Sequence, residues 1–156
     1  MDLFNEIWNS IVFHATGFAP VWGAPGDSAL LLLIGYNIEI SFMFAVMGIA
    51  MVSLLPKDTK MKIFGIPNRV VFAVANSILC VVVEIFLNHI GALTWEYPWW
   101  SISCPWLIFG IGYLPFFAVA FWVHDMRLIK HKLIAVGSIL GVDAVLLVIL
   151  GSIGWV

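Results

Sequence analysis

Three acidic residues of this chain lie inside long apolar runs, where an ionisable side chain is costly: Glu39, Glu84 and Asp143. A carboxyl group that is shielded from water tends to stay protonated at neutral pH. Such a group can act as a general acid toward an alkene or an epoxide, while a second carboxylate takes a proton back. The sequence therefore predicts that Glu39, Glu84 and Asp143 form a catalytic set in an apolar pocket.

Polar and aromatic residues at similar predicted depths would surround these acids. Tyr36 precedes Glu39 by three residues and so shares its helical face. Aromatic faces can also stabilise a cation that develops on a substrate. We therefore predict isomerisation, cyclisation or hydration of a lipophilic small molecule. The predicted substrate-binding residues are Tyr36, Asn88, His89, Trp95 and Tyr113.

The sequence gives little support for a metal or cofactor site. Carboxylate-bridged metal centres use Glu-x-x-His, whereas Glu84 and His89 are five residues apart. The chain has no P-loop, no GxGxxG, no CxxCH and no nucleophile elbow. Cys80 and Cys104 are expected to be unpaired thiols in packing roles. We therefore predict no metal and no cofactor.

Membrane-spanning helices are the elements that must position these residues. The chain has 156 residues, of which 63% are hydrophobic and 10% are charged, and its mean hydropathy is +1.08. A soluble domain has about 45–50% apolar and about 25% charged residues. A bilayer core requires about 20 apolar residues in a helix. The predicted fold is all-α, a single transmembrane domain over 1–156 with four spans at about 28–55, 68–93, 104–126 and 133–155.

The basic residues predict the orientation of these spans. All seven Lys and Arg residues lie close to two connections, 56–68 and 127–132. The positive-inside rule places both loops in the cytoplasm, and four spans then place both termini outside it. We expect an integral protein of a bacterial inner membrane or a eukaryotic endomembrane. The net charge of −2 argues against a nucleic-acid partner.

The first 16 residues are too short to span a bilayer and show helical amphipathicity. Apolar residues such as Ile7 and Trp8 lie on one face, and Asp2, Glu6 and Asn9 lie on the other. We predict an amphipathic helix at 2–15 that lies in the outer membrane interface. Docking on a partner subunit is the alternative.

The stretch from Glu84 to Tyr113 contains EIFLNHIGALTWEYPWW and CPWLIFGIGY. It combines an intramembrane Glu, a nearby Gly, an aromatic loop with an acid, and a Pro that starts the next span. These features resemble small membrane-embedded carotenoid and terpenoid cyclases and hydratases, over about 30 residues of the chain. The resemblance implies that Glu84, with Glu39 and Asp143, acts as an acid–base group on an isoprenoid.

Three functions remain open from the sequence. The first is the membrane-embedded enzyme described above, which acts on an isoprenoid or another lipophilic molecule. The second is a non-catalytic lipid- or pigment-binding subunit of a larger membrane complex. The third is a proton-coupled carrier, which would have to dimerise because four helices leave little room for alternating access. The expected partners are the lipid bilayer, a lipophilic small molecule, and further copies or subunits.

Overall fold

The computed structural model describes residues 1–156, and most of the chain is helical. The helices are α1 Asp2–Thr16, α2 Ile38–Ser53, α3 Asn68–His89, α4 Pro105–Asp125 and α5 Ile129–Ser152. Helices α3, α4 and α5 are long and apolar enough to cross a membrane. The fold is therefore the all-α membrane architecture that the sequence predicts.

Six short strands pair in three antiparallel ladders that connect the helices. They are β1 Trp22–Gly23 with β6 Thr94–Trp95, β2 Leu31–Leu33 with β3 Tyr36–Asn37, and β4 Lys62–Ile63 with β5 Ile66–Pro67. The β1–β6 ladder joins the segment after α1 to the loop between α3 and α4. It thereby joins two parts of the chain that are about 70 residues apart in sequence.

The first apolar helix starts ten residues later than the predicted span 28–55. Residues Leu31–Asn37 form the β2–β3 hairpin instead, with Gly35 in the left-handed region at φ 74°. Asn37 then caps α2, because its Oδ1 accepts a hydrogen bond from the Ile40 amide at 2.8 Å. With 16 residues, α2 is about 24 Å long. The other three predicted spans coincide with α3, α4 and α5 to within four residues.

Helices α3 and α4 form the centre of the bundle. Phe117 and Phe121 of α4 pack against Ala73 and Cys80 of α3. Small residues on α3 leave room for these rings, so the two helices pack closely. A second cluster near the other end contains Val21, Val81, Trp100 and Ile108. The aromatic loop between α3 and α4 is therefore partly buried, since Trp100 is only 2% exposed.

The two ends of the bundle differ in their charges. At one end, Arg69 makes a two-point ion pair with Asp125 at 2.7 and 2.9 Å, and Lys132 donates to the His124 carbonyl. At the other end, the Ser10 hydroxyl donates to the Trp155 carbonyl at 2.6 Å. The two basic connections therefore share one end, and the C-terminal segment meets helix α1 at the other.

Candidate functional site

Helix α1 turns its polar face toward the protein. Glu6, Asn9 and Ser10 are 4%, 0% and 2% exposed. An interfacial helix would turn such residues toward water, so this placement differs from the prediction for 2–15. The physical reason is that these side chains find polar partners inside the protein. Asn5, for example, donates to the Gly112 carbonyl, which lies within α4.

A cavity of about 820 Å³ opens between α1, α2, α3 and α4. Most of its lining is apolar and includes Met43 and Met47 of α2 and Leu79 and Val83 of α3. Polar groups enter it mainly from α1, α3 and α4. The residues that line it with acidic or phenolic groups are Asp2, Glu6, Asp27, Glu39, Glu84 and Tyr113. A few polar groups in an apolar pocket are typical of a small-molecule site.

Glu84 is the predicted acid that lies deepest in this cavity wall, at 6% exposed. The Trp95 indole Nε1 donates to Glu84 Oε1 at 2.9 Å. The Tyr113 phenol and the Trp100 indole are further side-chain neighbours of this carboxyl group. The structure therefore brings Glu84, Trp95 and Tyr113 together, although Trp95 lies behind the lining rather than in it.

Glu6 of α1 stands near Glu84, close enough for the two charges to repel each other. The Trp22 indole Nε1 donates to Glu6 Oε1 at 2.9 Å, while buried Glu6 Oε2 has no hydrogen-bond partner. Burial raises the pKa of Glu6 well above its usual range, and nearby Asp2 raises it further. Glu6 therefore retains its proton more readily than an exposed glutamate, which suits a general acid.

Asp2, one helical turn before Glu6, also lines the cavity. Its buried Oδ2 lacks a hydrogen-bond partner. Burial raises the pKa of Asp2 from 3.8 to about 6. The cavity therefore has acidic groups on α1 that face the Glu84 carboxyl of α3.

Two of the three predicted catalytic acids are placed differently from Glu84. Glu39 lies in the first turn of α2 and is exposed, because the helix starts at Ile38. Its carboxylate accepts from the Ala29 amide at 2.9 Å and the Ser28 hydroxyl at 2.7 Å, so it lines the cavity from an exposed position. Asp143 of α5 is 2% exposed but does not line the cavity. The three acids do not share one cavity wall.

The remaining predicted binding residues lie outside the lining. Tyr36 is buried, and its hydroxyl donates to Ser41 Oγ at 2.9 Å. Asn88 donates to the Leu93 carbonyl at 3.0 Å and so closes the end of α3. His89 is exposed at the last turn of that helix. None of these three residues lines the cavity.

Sequence reasoning missed Asp2, Glu6, Trp22 and Trp100. The two acids precede the apolar runs and sit on the polar face of a short helix, where water is the default partner. The signal that could have found them is their i, i+4 spacing, which puts both carboxyl groups on one side of α1.

A family model matches residues 1–152 of the chain, and its description is "Uncharacterized membrane protein family". The chain belongs to this family. It is 57% identical over 157 residues to an "Uncharacterized protein" of Archaeoglobus fulgidus, with all of this chain and 74% of the relative covered. A second "Uncharacterized protein" of that organism is 51% identical over 53 residues, which cover 33% of this chain and 95% of the relative. No solved structure matches.

Membership in this family agrees with the span-length helices α3, α4 and α5. Both lines of evidence place the chain in a membrane as an integral protein. The names of the family and of the two relatives state no activity. The function must therefore be argued from the cavity and its carboxyl groups.

Proposed function

We propose that the cavity binds an isoprenoid or another lipophilic small molecule and that its carboxyl groups perform acid–base chemistry on it. The observation that carries the proposal is the pair of buried carboxyl groups, Glu6 and Glu84, which face one apolar cavity. Such a cavity accepts a hydrocarbon chain, and Glu6 retains a buried oxygen without a protein hydrogen bond.

An isomerisation divides between two such groups. The protonated carboxyl group adds its proton to one carbon of an alkene, and the adjacent carbon becomes a cation. The other carboxyl group, ionised, then removes a proton from a neighbouring carbon, and the electron pair forms a new double bond. In a cyclisation, a second alkene of the same molecule first attacks the cation to form the ring bond, and the new cation is the one that loses a proton. Tyr113 and Trp100 lie beside Glu84, where their rings can stabilise the cation. Addition of water to the same cation gives hydration instead.

The experiment compares Glu84→Gln with wild type and with Glu96→Gln, which removes the same charge from an exposed loop residue outside the cavity. Molecules that co-purify in mild detergent are identified by mass spectrometry and chromatography. We expect wild type and Glu96→Gln to retain a stoichiometric lipophilic molecule. Glu84→Gln should retain an isomer of it or a species that differs by one water.

The molecule that Glu84→Gln retains is then supplied as substrate. With it, Glu84→Gln should lower turnover by at least about a hundredfold relative to wild type, since a positioned general acid or base contributes about 10²–10⁴-fold. Bulk phospholipid alone in all three preparations would contradict the proposal.

A non-catalytic binding subunit is the second candidate, and one observation favours it. Both buried glutamates already accept an indole hydrogen bond, from Trp22 and Trp95 respectively. These bonds tie connecting segments to α1 and α3, which is a structural role. Under this candidate, Glu84→Gln would lower the melting temperature and leave the bound molecule chemically unchanged.

We further propose that the end carrying Arg69 and Asp125 faces the cytoplasm, and that both termini lie on the opposite side. The separation of the basic connections from the termini supports this orientation through the positive-inside rule. The cavity acids then lie toward the non-cytoplasmic half of the bundle, on the side of α1. Since α1 joins the wall there, a ligand would enter from the outer leaflet.

A further inference from the structure

The charged side chains that line the cavity are all acidic. Five acidic residues line it, and no Lys, Arg or His does: Asp2, Glu6, Asp27, Glu39 and Glu84. A wall of this kind repels carboxylates and phosphates and attracts cations. The two innermost acids, Glu6 and Glu84, are 4% and 6% exposed.

Glu6 also has an unsatisfied oxygen that points to a missing partner. Its Oε1 accepts from Trp22, but Oε2 is buried and has no hydrogen-bond partner. A buried polar atom without a partner is destabilising. Because Glu6 lines the cavity, a ligand there could supply a positive charge or a donor to this oxygen.

The surroundings of the acids favour an organic cation over an inorganic one. Trp22, Trp100 and Tyr113 line the same cavity as Glu6 and Glu84. Aromatic faces attract ammonium groups, and the attraction strengthens when water is excluded. The rest of the lining is mostly apolar, which suits a hydrocarbon body rather than a hydrated metal ion.

We infer that the ligand of this cavity is a lipophilic organic cation, an amine or a quaternary ammonium whose charge lies between Glu6 and Glu84. The inference rests on the proposed function, because it names the class of molecule that the same site takes. It excludes prenyl diphosphates and fatty acids as ligands, since the wall would repel their anionic groups.

The test uses two probes of nearly the same shape and opposite charge, tetraphenylphosphonium and tetraphenylborate. Binding of each to the full chain in an uncharged detergent is measured by equilibrium dialysis, and binding to empty micelles is subtracted. We expect saturable binding of the phosphonium at one site per chain. The borate should bind at least about tenfold more weakly, a difference set by the sign of its charge.

Glu6→Gln and Glu84→Gln should each weaken phosphonium binding by about tenfold, because each removes a carboxyl group that can ionise beside a bound cation. Glu96→Gln is the matched control and should leave it unchanged, since Glu96 lies outside the cavity. Size-exclusion profiles and melting temperatures show whether each variant is folded. If a cavity variant does not fold, the selectivity of wild type between the two probes still decides the question.

Equal binding of the two ions, or phosphonium binding that survives both cavity substitutions, overturns the inference. If no phosphonium binds while a neutral isoprenoid co-purifies and is converted, the inference fails and the proposed chemistry stands. If the phosphonium binds selectively but the co-purified molecule is never converted, the chemistry fails and the cation site stands.

Discussion

Asn9 is one of the residues that join α1 to the rest of the protein. Its Nδ2 donates to the Trp22 carbonyl at 2.9 Å, and its Oδ1 accepts from the Val21 amide at 2.6 Å. Asn9 is completely buried, so water cannot replace these partners. The amide side chain suits this position because it both donates and accepts.

Asn9→Ala should therefore lower the free energy of unfolding by about 3 kcal/mol, since each buried group left unpaired costs about 1–3 kcal/mol. The measurement is the melting temperature of the purified chain in detergent. Asn76→Ala, which removes a half-buried amide from α3, is the control and should cost clearly less. Equal losses in the two variants would show that the Asn9 bonds do not hold α1.

Asp2 makes stability depend on pH in a defined direction. Its pKa is about 6 in the folded protein, raised by burial from 3.8. Below pH 3.8 Asp2 is protonated in both the folded and the unfolded chain, so its burial does not lower the free energy of unfolding. As pH rises through the window from about 4 to about 6, the unfolded chain loses the proton first, and the free energy of unfolding falls. The loss persists above the window.

Asp2→Asn removes this titration, so it should raise the melting temperature at pH 7.5 and have little effect at pH 4. The stabilisation at the higher pH is at most about 3 kcal/mol, from about 1.4 kcal/mol per pKa unit. Melting curves of wild type and variant across pH 4–8 test this. Glu96→Gln serves as the control, and a gain for Asp2→Asn that is constant with pH would contradict the argument.

At the scale of residues, the sequence indicates that an acid is buried when that acid stands alone in an apolar run. Glu84 is such a case, and the structure places it in the wall of the cavity. Asp143 shows the same pattern but is buried elsewhere, because hydropathy gives depth and not the direction in which a side chain points. Asp2 and Glu6 could not be found this way, since the direction of α1's polar face is decided by tertiary packing.

At the scale of elements, the β2–β3 hairpin fixes where α2 begins and hence where Glu39 lies. The apolar stretch from Leu30 to Ile34 looks like the start of a span in a hydropathy window. The turn at Gly35 reverses the chain, and the capping of α2 by Asn37 starts the helix after it. Hydropathy could not predict this boundary, because strand and helix leucines are equally apolar.

Helix α4 contains a second feature that the sequence does not reveal. Residues Ile108–Tyr113 form a π-helical segment, and Pro115 follows it. π-Helical turns are rare and occur frequently at functional sites. Here the segment includes Tyr113, which neighbours Glu84, and Gly112, whose carbonyl accepts from Asn5. Tyr113 lines the cavity, and its role in binding a substrate stays a prediction.

Gly35→Ala should be markedly destabilising, for two separable reasons. A left-handed φ of +74° costs a residue with a Cβ about 1–2 kcal/mol. In addition, the new Cβ would lie 2.8 Å from the Trp22 carbonyl oxygen, which is backbone and cannot simply move away. Gly65→Ala is a matched control, because Gly65 has φ +81° but open space around its Cβ position.

The melting temperature of Gly65→Ala should fall by the backbone cost alone, and that of Gly35→Ala should fall further. Equal falls in melting temperature for the two variants would show that the backbone near Trp22 moves to make room for the new Cβ. In that case the hairpin would be a flexible part of the cavity entrance rather than a fixed one.

At the scale of the whole molecule, the two ends of the bundle carry different structural features. The end with Arg69 and Asp125 carries the basic connections, and the end with Ser10 and Trp155 carries α1. Three of the four predicted spans correspond to span-length helices, α3, α4 and α5, because the bilayer imposes length and hydrophobicity on them. The fourth, predicted at 28–55, is the shorter helix α2 of 16 residues. The docking of α1 could not be predicted, because a short amphipathic helix can lie on a membrane or pack into a protein.

The proposed orientation predicts which surface positions a membrane-impermeant maleimide reaches in intact cells. In a background of Cys80→Ala and Cys104→Ser, which removes both native thiols, single substitutions Thr59→Cys and Ser103→Cys probe the two ends. Both positions are exposed, so reactivity depends on the side of the membrane and not on burial. Ser103→Cys should react in intact cells, and Thr59→Cys should react only after the cells are permeabilised.

The reverse pattern would invert the molecule and place the cavity acids in the cytoplasmic half, so that a ligand would enter from the inner leaflet. Reaction at both positions in intact cells would contradict a crossing of the membrane between them by α3.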